Sequence, residues 1–281
     1  MRIRIIDAFT DRPFTGNPAA VCLLDGEGWP DLRWMQQVAA EMNLSETAFA
    51  HPLPGNAEAD WALRWFTPTV EVDLCGHATL ATAHALHIDR GAPSTDRFSS
   101  RSGILVARTH DDGTITLDFP AAPVKAIPIP NGLSEALHAK PDAAYGTGAL
   151  GDVLAVFPDE ADIRSLAPDF TALAQLARRD GTRGVIATAP AADSGSDYDF
   201  VSRFFGPAAG IPEDPVTGSA HTALAPYWSD RLSRDGLTGL QASARTGLVH
   251  TAVRGDRVHL TGHAITVLDG SLQYTPNKYA R

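Results

Sequence analysis

The chain is short of several things, and each shortage excludes a class of protein. Its 281 residues include two cysteines, Cys22 and Cys75, without paired spacing, so neither a disulfide framework nor a zinc knuckle is encoded. Nowhere does an apolar run approach the roughly 18 residues that a membrane span needs, and no membrane role is expected. The opening Met1-Arg2-Ile3-Arg4-Ile5-Ile6 alternates as a strand does and lacks the continuous apolar stretch of a signal peptide, which predicts a cytoplasmic protein. Positive charge is scarce as well. Against 33 Asp and Glu stand 23 Lys and Arg, for a formal net charge of −10, and no cluster of Lys and Arg offsets it. Such a surface repels a phosphate backbone, so no nucleic-acid partner is expected. Ten histidines are present without an HExxH or comparable ligand cluster. His84 and His87, three apart on a predicted helix, read as a solvated face, and no metal is expected.

What the chain does have is a core and a repeat. Hydrophobic content of 44% with 20% charged residues describes an ordinary globular protein. Asp60-Trp61-Ala62-Leu63-Arg64-Trp65-Phe66-Thr67-Pro68 is echoed downstream by Asp199-Phe200-Val201-Ser202-Arg203-Phe204-Phe205-Gly206-Pro207. Each copy runs through an acidic turn (Glu71 and Asp73; Glu213 and Asp214) into a helix start, Cys75-Gly76-His77-Ala78 in one and Thr217-Gly218-Ser219-Ala220 in the other. The period is half the chain, which indicates a duplicated domain rather than a stacked array. Strands are predicted at 2–8, 19–24, 61–66, 103–108, 114–119, 152–157, 184–188, 200–205, 258–261 and 264–268, with an extended segment at 45–50. Helices are predicted from Asp31, a candidate N-cap, at 76–87, at 171–179 and from Gly218. Pro120, Pro123, Pro128 and Pro130 mark the crossing between domains, 1–118 and 119–281, with the last strand able to pair back onto the first domain.

The paired helix starts carry the functional reading. The first turn of a helix leaves backbone N–H groups without intrahelical partners, and with the macrodipole they form a ready anion site. Glycine there admits a ligand close to the backbone. Gly76 and Gly218, facing each other across a domain cleft, would clamp one small carboxylate or the oxyanion of its enolate; alternatively they only permit tight packing. Asp73 and Asp214 stand near the two starts, where a carboxylate caps a helix or orients a proton carrier. His77 would be held neutral by its place at a helix N-terminus. Ser219 either donates to a substrate oxygen or satisfies the helix end.

These residues resemble the PhzF family of phenazine-biosynthesis-like proteins. The matching blocks are 7–10 with 14–21 (Phe14-Thr15-Gly16-Asn17-Pro18), 42–49 (Met42-Asn43-Leu44-Ser45-Glu46-Thr47), 64–68 running into 71–79, and 210–221. The resemblance implies a diaminopimelate-epimerase-like α/β (α+β) fold of two pseudo-symmetric domains, each a curved sheet around a central helix, with a cleft between them and a homodimeric assembly. It also implies a cofactor-independent isomerase acting on a small, cyclic carboxylate, typified by the step that isomerises trans-2,3-dihydro-3-hydroxyanthranilate. Carried over by motif, Glu46 is the proton-transfer carboxylate, His77 and Asp214 assist, and Ser219 with the amides of Gly76, His77 and Gly218 holds the substrate carboxylate. The apolar neighbours of Glu46, namely Leu44, Ala48 and Phe49, fit this role, since partial burial raises a carboxyl pKa.

One departure is informative. Racemases of the related fold use two thiols, one before each glycine, whereas here Cys75 is matched by Thr217, whose hydroxyl is too weak an acid to serve as the second base. Cys75 then reads as a small buried residue. Two other readings remain open at this level: a hydrolase using Ser219, His221 or His77, and Asp214, although Ser219 lacks a GxSxG elbow, and a protein that binds a metabolite without chemistry.

Overall fold

The computed structural model describes residues 1–91, 94–193 and 195–273. The chain divides into two compact units. One takes Met1 to Asp118 together with the described residues from Thr261 onward, and the other takes Phe119 to Leu260.

In the first unit the strand Arg2–Ala8 lies between the last strand, Ala264–Ser271, and Asn17–Leu23, antiparallel to both. Next comes Glu46–Pro52, parallel to Asn17–Leu23, and then Trp61–Phe66, antiparallel to it. Thr95–Ser100 pairs parallel with Trp61–Phe66, and Gly103–Thr109 and Ile115–Pro120 continue the sheet as antiparallel neighbours. The helix Gly76–Arg90 packs against strands from several parts of this sheet, and this explains its composition. Alanine, threonine and leucine are buried on every side of it, from Ala78 through Leu86, as a helix enclosed by its sheet requires. His84 is half-buried, with burial lowering its pKa to about 4, so the expected solvated face is a partly sheltered one. A second helix, Leu32–Met42, has a single apolar stripe. Asp31 accepts from Arg33 N at its start, and Trp34, Met35, Val38 and Ala39 pack with Phe49 and Phe66 into a separate core.

The second unit repeats the order of pairings. Ala143–Gly146 is antiparallel to Asp152–Val156, which is parallel to Gly184–Pro190. Phe200–Gly206 follows antiparallel, Gly236–Gln241 parallel, and Gly247–Arg254 antiparallel. The helix Gly218–Leu232 has 15 residues, as has its counterpart Gly76–Arg90. Its Ala220, Ala223, Leu224 and Trp228 pack with Leu154, Ile186, Phe200 and Phe204. Phe170–Asp180, capped by Asp169, contributes Leu173 to a second core layer with Val185 and Phe205. The proline-rich crossing contains a short strand, Lys125–Ile127, paired with Ala143–Gly146.

An ion pair recurs at matched places. Arg64 makes two bonds to Glu71 at 2.6 and 2.7 Å, and Arg203 makes two to Glu213 at 2.7 and 2.9 Å. No described helix is long and apolar enough to cross a membrane.

Candidate active site

In the first unit, three chain segments deliver side chains to one buried place. The turn before Asn17 needs glycine at position 16, where φ is +68° and a Cβ would lie 2.3 Å from the Ala8 carbonyl oxygen. Phe14 N donates to Asp7 Oδ2 at 2.7 Å within the same turn. Asn43 ends the preceding helix in the left-handed conformation, its N–H donating to Ala39 O, and Glu46 then opens the next strand. Cys75 is the extended residue before the helix Gly76–Arg90, so His77 sits in the first turn.

Glu46 Oε2 and His77 Nε2 are 3.3 Å apart. On the other side of the ring, Nδ1 lies 3.2 Å from Asn17 Nδ2 and 3.5 Å from Cys75 Sγ. All four residues are buried. An amide nitrogen only donates, so Nδ1 accepts, and the ring proton is placed on Nε2 facing the Glu46 carboxylate. Burial lowers the His77 pKa to about 3. The neutral form expected from the sequence follows, with burial rather than the helix end as its cause. The thiol of Cys75 approaches an acceptor nitrogen and is enclosed, consistent with a packing residue. Glu46, Cys75 and His77 also bring three donor atoms within 4.8 Å of one another, the one such group among the described residues; a carboxylate, a thiolate and an imidazole could together take a borderline-soft divalent cation.

In the second unit the helix start is built differently. Thr217 precedes it in extended conformation and makes no side-chain cap. Its hydroxyl instead donates to Asp214 Oδ2 at 2.5 Å, and its N–H donates to Gln241 Oε1 at 2.8 Å. Gln241 Nε2 in turn donates to the Asp214 carbonyl at 2.7 Å. Asp214 is buried. Asp73 is exposed and pairs with Arg101 at 3.4 Å. Strand pairing also aligns the acidic turns. Val72 is opposite Trp65 and Asp214 opposite Phe204, so the residue matching Asp214 is Val72, not Asp73.

Ser219 Oγ accepts from Arg183 Nη2 at 3.0 Å. His221 is turned away from it, donating through Nδ1 to the Thr217 carbonyl at 2.8 Å, and burial lowers its pKa to about 4. Of the sequence-predicted residues, Glu46, Gly76 and His77 thus cluster in one unit, and Asp214, Gly218 and Ser219 in the other. Asn17, Arg183 and Gln241 were not foreseen. Asn17 stood in a matching motif block without an assigned role, and Arg183 and Gln241 lie far from the motifs they serve.

The family model for phenazine biosynthesis-like proteins, PhzC-PhzF, matches residues 6–270. The chain belongs to this family. An uncharacterized isomerase of Pseudomonas aeruginosa is 48% identical to this PhzF-family chain over 269 residues, 95% of this chain and 96% of the relative. The crystal structure of a PhzF-family protein from Enterococcus faecalis superimposes with a TM-score of 0.85 at 41% identity, covering 96% of this chain and 97% of that one. A hydroxyproline epimerase from Agrobacterium vitis, with TM-score 0.63 at 12% identity over 96% of this chain and 91% of its own, shares the fold alone. The PhzF chain accordingly has the diaminopimelate-epimerase-like fold, with mixed α and β structure.

Proposed function

We propose that the protein is a cofactor-independent isomerase that moves a proton between carbons of a small, cyclic carboxylate, with Glu46 as the general acid and base. The observation that carries this reading is the buried Glu46–His77 pair, 3.3 Å apart, with Asn17 Nδ2 lying 3.2 Å from the other ring nitrogen. A carboxylate takes the proton from a carbon whose acidity is raised by conjugation, then returns it to another carbon, so no net proton or electron is gained or lost. Neutral His77 supports Glu46 through Nε2–H without competing for its proton. Negative charge that develops on the substrate meets the first-turn amides at Gly76 and His77. Within the second unit, Gly218 and Ser219 are assigned to carboxylate binding, with Asp214 assisting. The isomerase name of the Pseudomonas relative supports the reaction class.

The arrangement around Ser219 weighs against a serine hydrolase. A nucleophilic hydroxyl needs a neighbour that accepts its proton, and a guanidinium has only donors. His221, the histidine nearest in sequence, is committed to a backbone carbonyl.

The test is deuterium incorporation in heavy water. Wild type and Glu46→Gln are incubated with cyclic and amino-acid carboxylates, trans-2,3-dihydro-3-hydroxyanthranilate among them, and products are followed by mass spectrometry. Deuterium uptake or isomerised product is expected with the wild type and a loss of at least a hundredfold with the variant. Exchange that survives in a folded Glu46→Gln protein removes Glu46 from the role. Binding of a carboxylate by the wild type without any exchange favours a metabolite-binding protein instead.

A further inference from the structure

The two units can be aligned residue by residue through strand pairing alone. Ala48 is opposite Trp65 and Thr47 opposite Phe66, just as Ile186 is opposite Phe204 and Val185 opposite Phe205. One step further back, Glu46 falls on Gly184. The parallel neighbours agree, with Ala19 opposite Glu46 and Asp152 opposite Gly184. On the helix side, Gly76 matches Gly218 and His77 matches Ser219. The place occupied by the proton carrier in the first unit is therefore occupied by glycine in the second.

No side chain fits there. A Cβ on Gly184 would lie 2.6 Å from the Phe205 carbonyl oxygen and 2.8 Å from the Phe204 ring. The preceding residue, Arg183, reaches the helix instead, donating to Ser219 Oγ at 3.0 Å as Glu46 faces His77 in the first unit. Its guanidinium lies 5.1 Å over the Phe204 ring. Asp152 braces it: Arg183 Nε donates to Asp152 Oδ1 at 2.9 Å and Nη2 donates to Oδ2. The Asp152 side chain is fully buried, whereas that of Arg183 is 38% exposed.

Because Arg183 can only donate, Ser219 Oγ is an acceptor toward it, and the serine hydrogen is directed elsewhere. A hydroxyl so oriented, next to a helix start and a fixed positive charge, favours an anion over a neutral group of the same shape. We propose that Arg183, braced by Asp152, is a positioning residue that orients Ser219 as a donor and gives the second unit its selectivity for the substrate carboxylate. This rests on the isomerase reading. Duplication has thus given one scaffold two roles, a proton carrier in one copy and an anion holder in the other.

The test compares carboxylates with their carboxamides: benzoate with benzamide, anthranilate with anthranilamide, and proline with prolinamide, each titrated calorimetrically. Removing Arg183 alone would strand a buried Asp152 carboxylate, so the variants are Arg183→Lys and the double variant Arg183→Ala/Asp152→Asn, with Ser219→Ala alone and combined with Arg183→Lys. The wild type is expected to prefer at least one carboxylate over its amide. The double variant should lose about ten- to a hundredfold of that affinity with no change toward the amide. Lysine should retain part of it, since it keeps the charge and loses the fork. Ser219→Ala and Arg183→Lys should combine less than additively, because they act on one hydroxyl. The proposal is overturned if the wild type prefers no carboxylate, if both ligand forms weaken alike, or if the two substitutions add independently. Glu46→Gln should keep the preference intact while abolishing exchange, so this assignment and the proton-transfer reading can fail separately.

Discussion

At the scale of single residues, the proton-transfer reading turns on which nitrogen of His77 carries its proton. Asn17 decides it by donating to Nδ1 at 3.2 Å, which leaves Nε2–H for Glu46. Asn17→Asp keeps the shape and reverses the polarity, because a carboxylate accepts where the amide nitrogen donated. Nδ1 would then take a proton, and either Nε2 would face Glu46 as a second acceptor or the ring would become charged. The His77 pKa, held at about 3 by burial, should rise in the variant, since a neighbouring negative charge favours the imidazolium. Nitrogen NMR of histidine-labelled protein at neutral pH should show Nε2 protonated and Nδ1 bare in the wild type. The variant should show Nδ1 protonated and exchange reduced by about a hundredfold. A wild-type ring protonated at Nδ1 would remove this account of His77.

At the scale of elements, the repeat predicts unequal costs for equal substitutions. Arg203 and Arg64 occupy matched strand positions and hold Glu213 and Glu71. Arg203 Nη1 also donates to the Ile163 and Leu166 carbonyls at 3.2 and 2.7 Å, and Glu71 has a second cation in Arg101 at 2.8 Å. Arg203→Met therefore strands a mostly buried carboxylate and two carbonyls and should cost about 3 kcal/mol. Arg64→Met leaves Glu71 paired and should cost about 1 kcal/mol. Urea unfolding of the two variants checks this, and equal midpoints would contradict it. The pairing of Arg64 with Arg203 was legible in the sequence, because the echo of 60–68 in 199–207 placed both on strands entering matched helix starts. Asp31 as a cap and the strand Arg2–Ala8 were legible for the same kind of local reason. The strands Gly236–Gln241 and Gly247–Arg254 were not: two glycines break the apolar alternation of the first, and the second alternates around exposed Leu248 and His250. The tightly bound short helices Leu133–Leu137 and Glu160–Ser165 hold too few turns to show a period. In the candidate site, motif-borne Glu46 and His77 could be read, while Asn17, Arg183 and Gln241 depend on register between distant strands.

At the scale of the whole molecule, buried histidines should make the protein sensitive to mild acid. Burial lowers the pKa of His77 to about 3 and those of His84 and His221 to about 4. Each group is neutral in the folded state and takes up its proton near pH 6.5 once unfolded. The unfolded chain therefore binds more protons as pH falls below 6.5, and stability is lost from there down to the folded values. Two effects run the other way. Net charge shrinks from −10 toward the isoelectric point of about 5.4, relieving self-repulsion, and the Asp152 carboxyl, pushed up by burial against Arg183, becomes easier to keep as pH falls. A substitution separates the local histidine effect from these. His221→Asn keeps a side-chain N–H for the Thr217 carbonyl, bonded at 2.8 Å in the native protein, and removes the titration. Between pH 6 and pH 5 the wild type should lose about 1.2 kcal/mol more than this variant, measured as the difference in their urea-unfolding free energies at the two pH values. Parallel losses in the two proteins would mean that His221 protonates in the folded state as readily as in the unfolded one, against its enclosure beside Phe200.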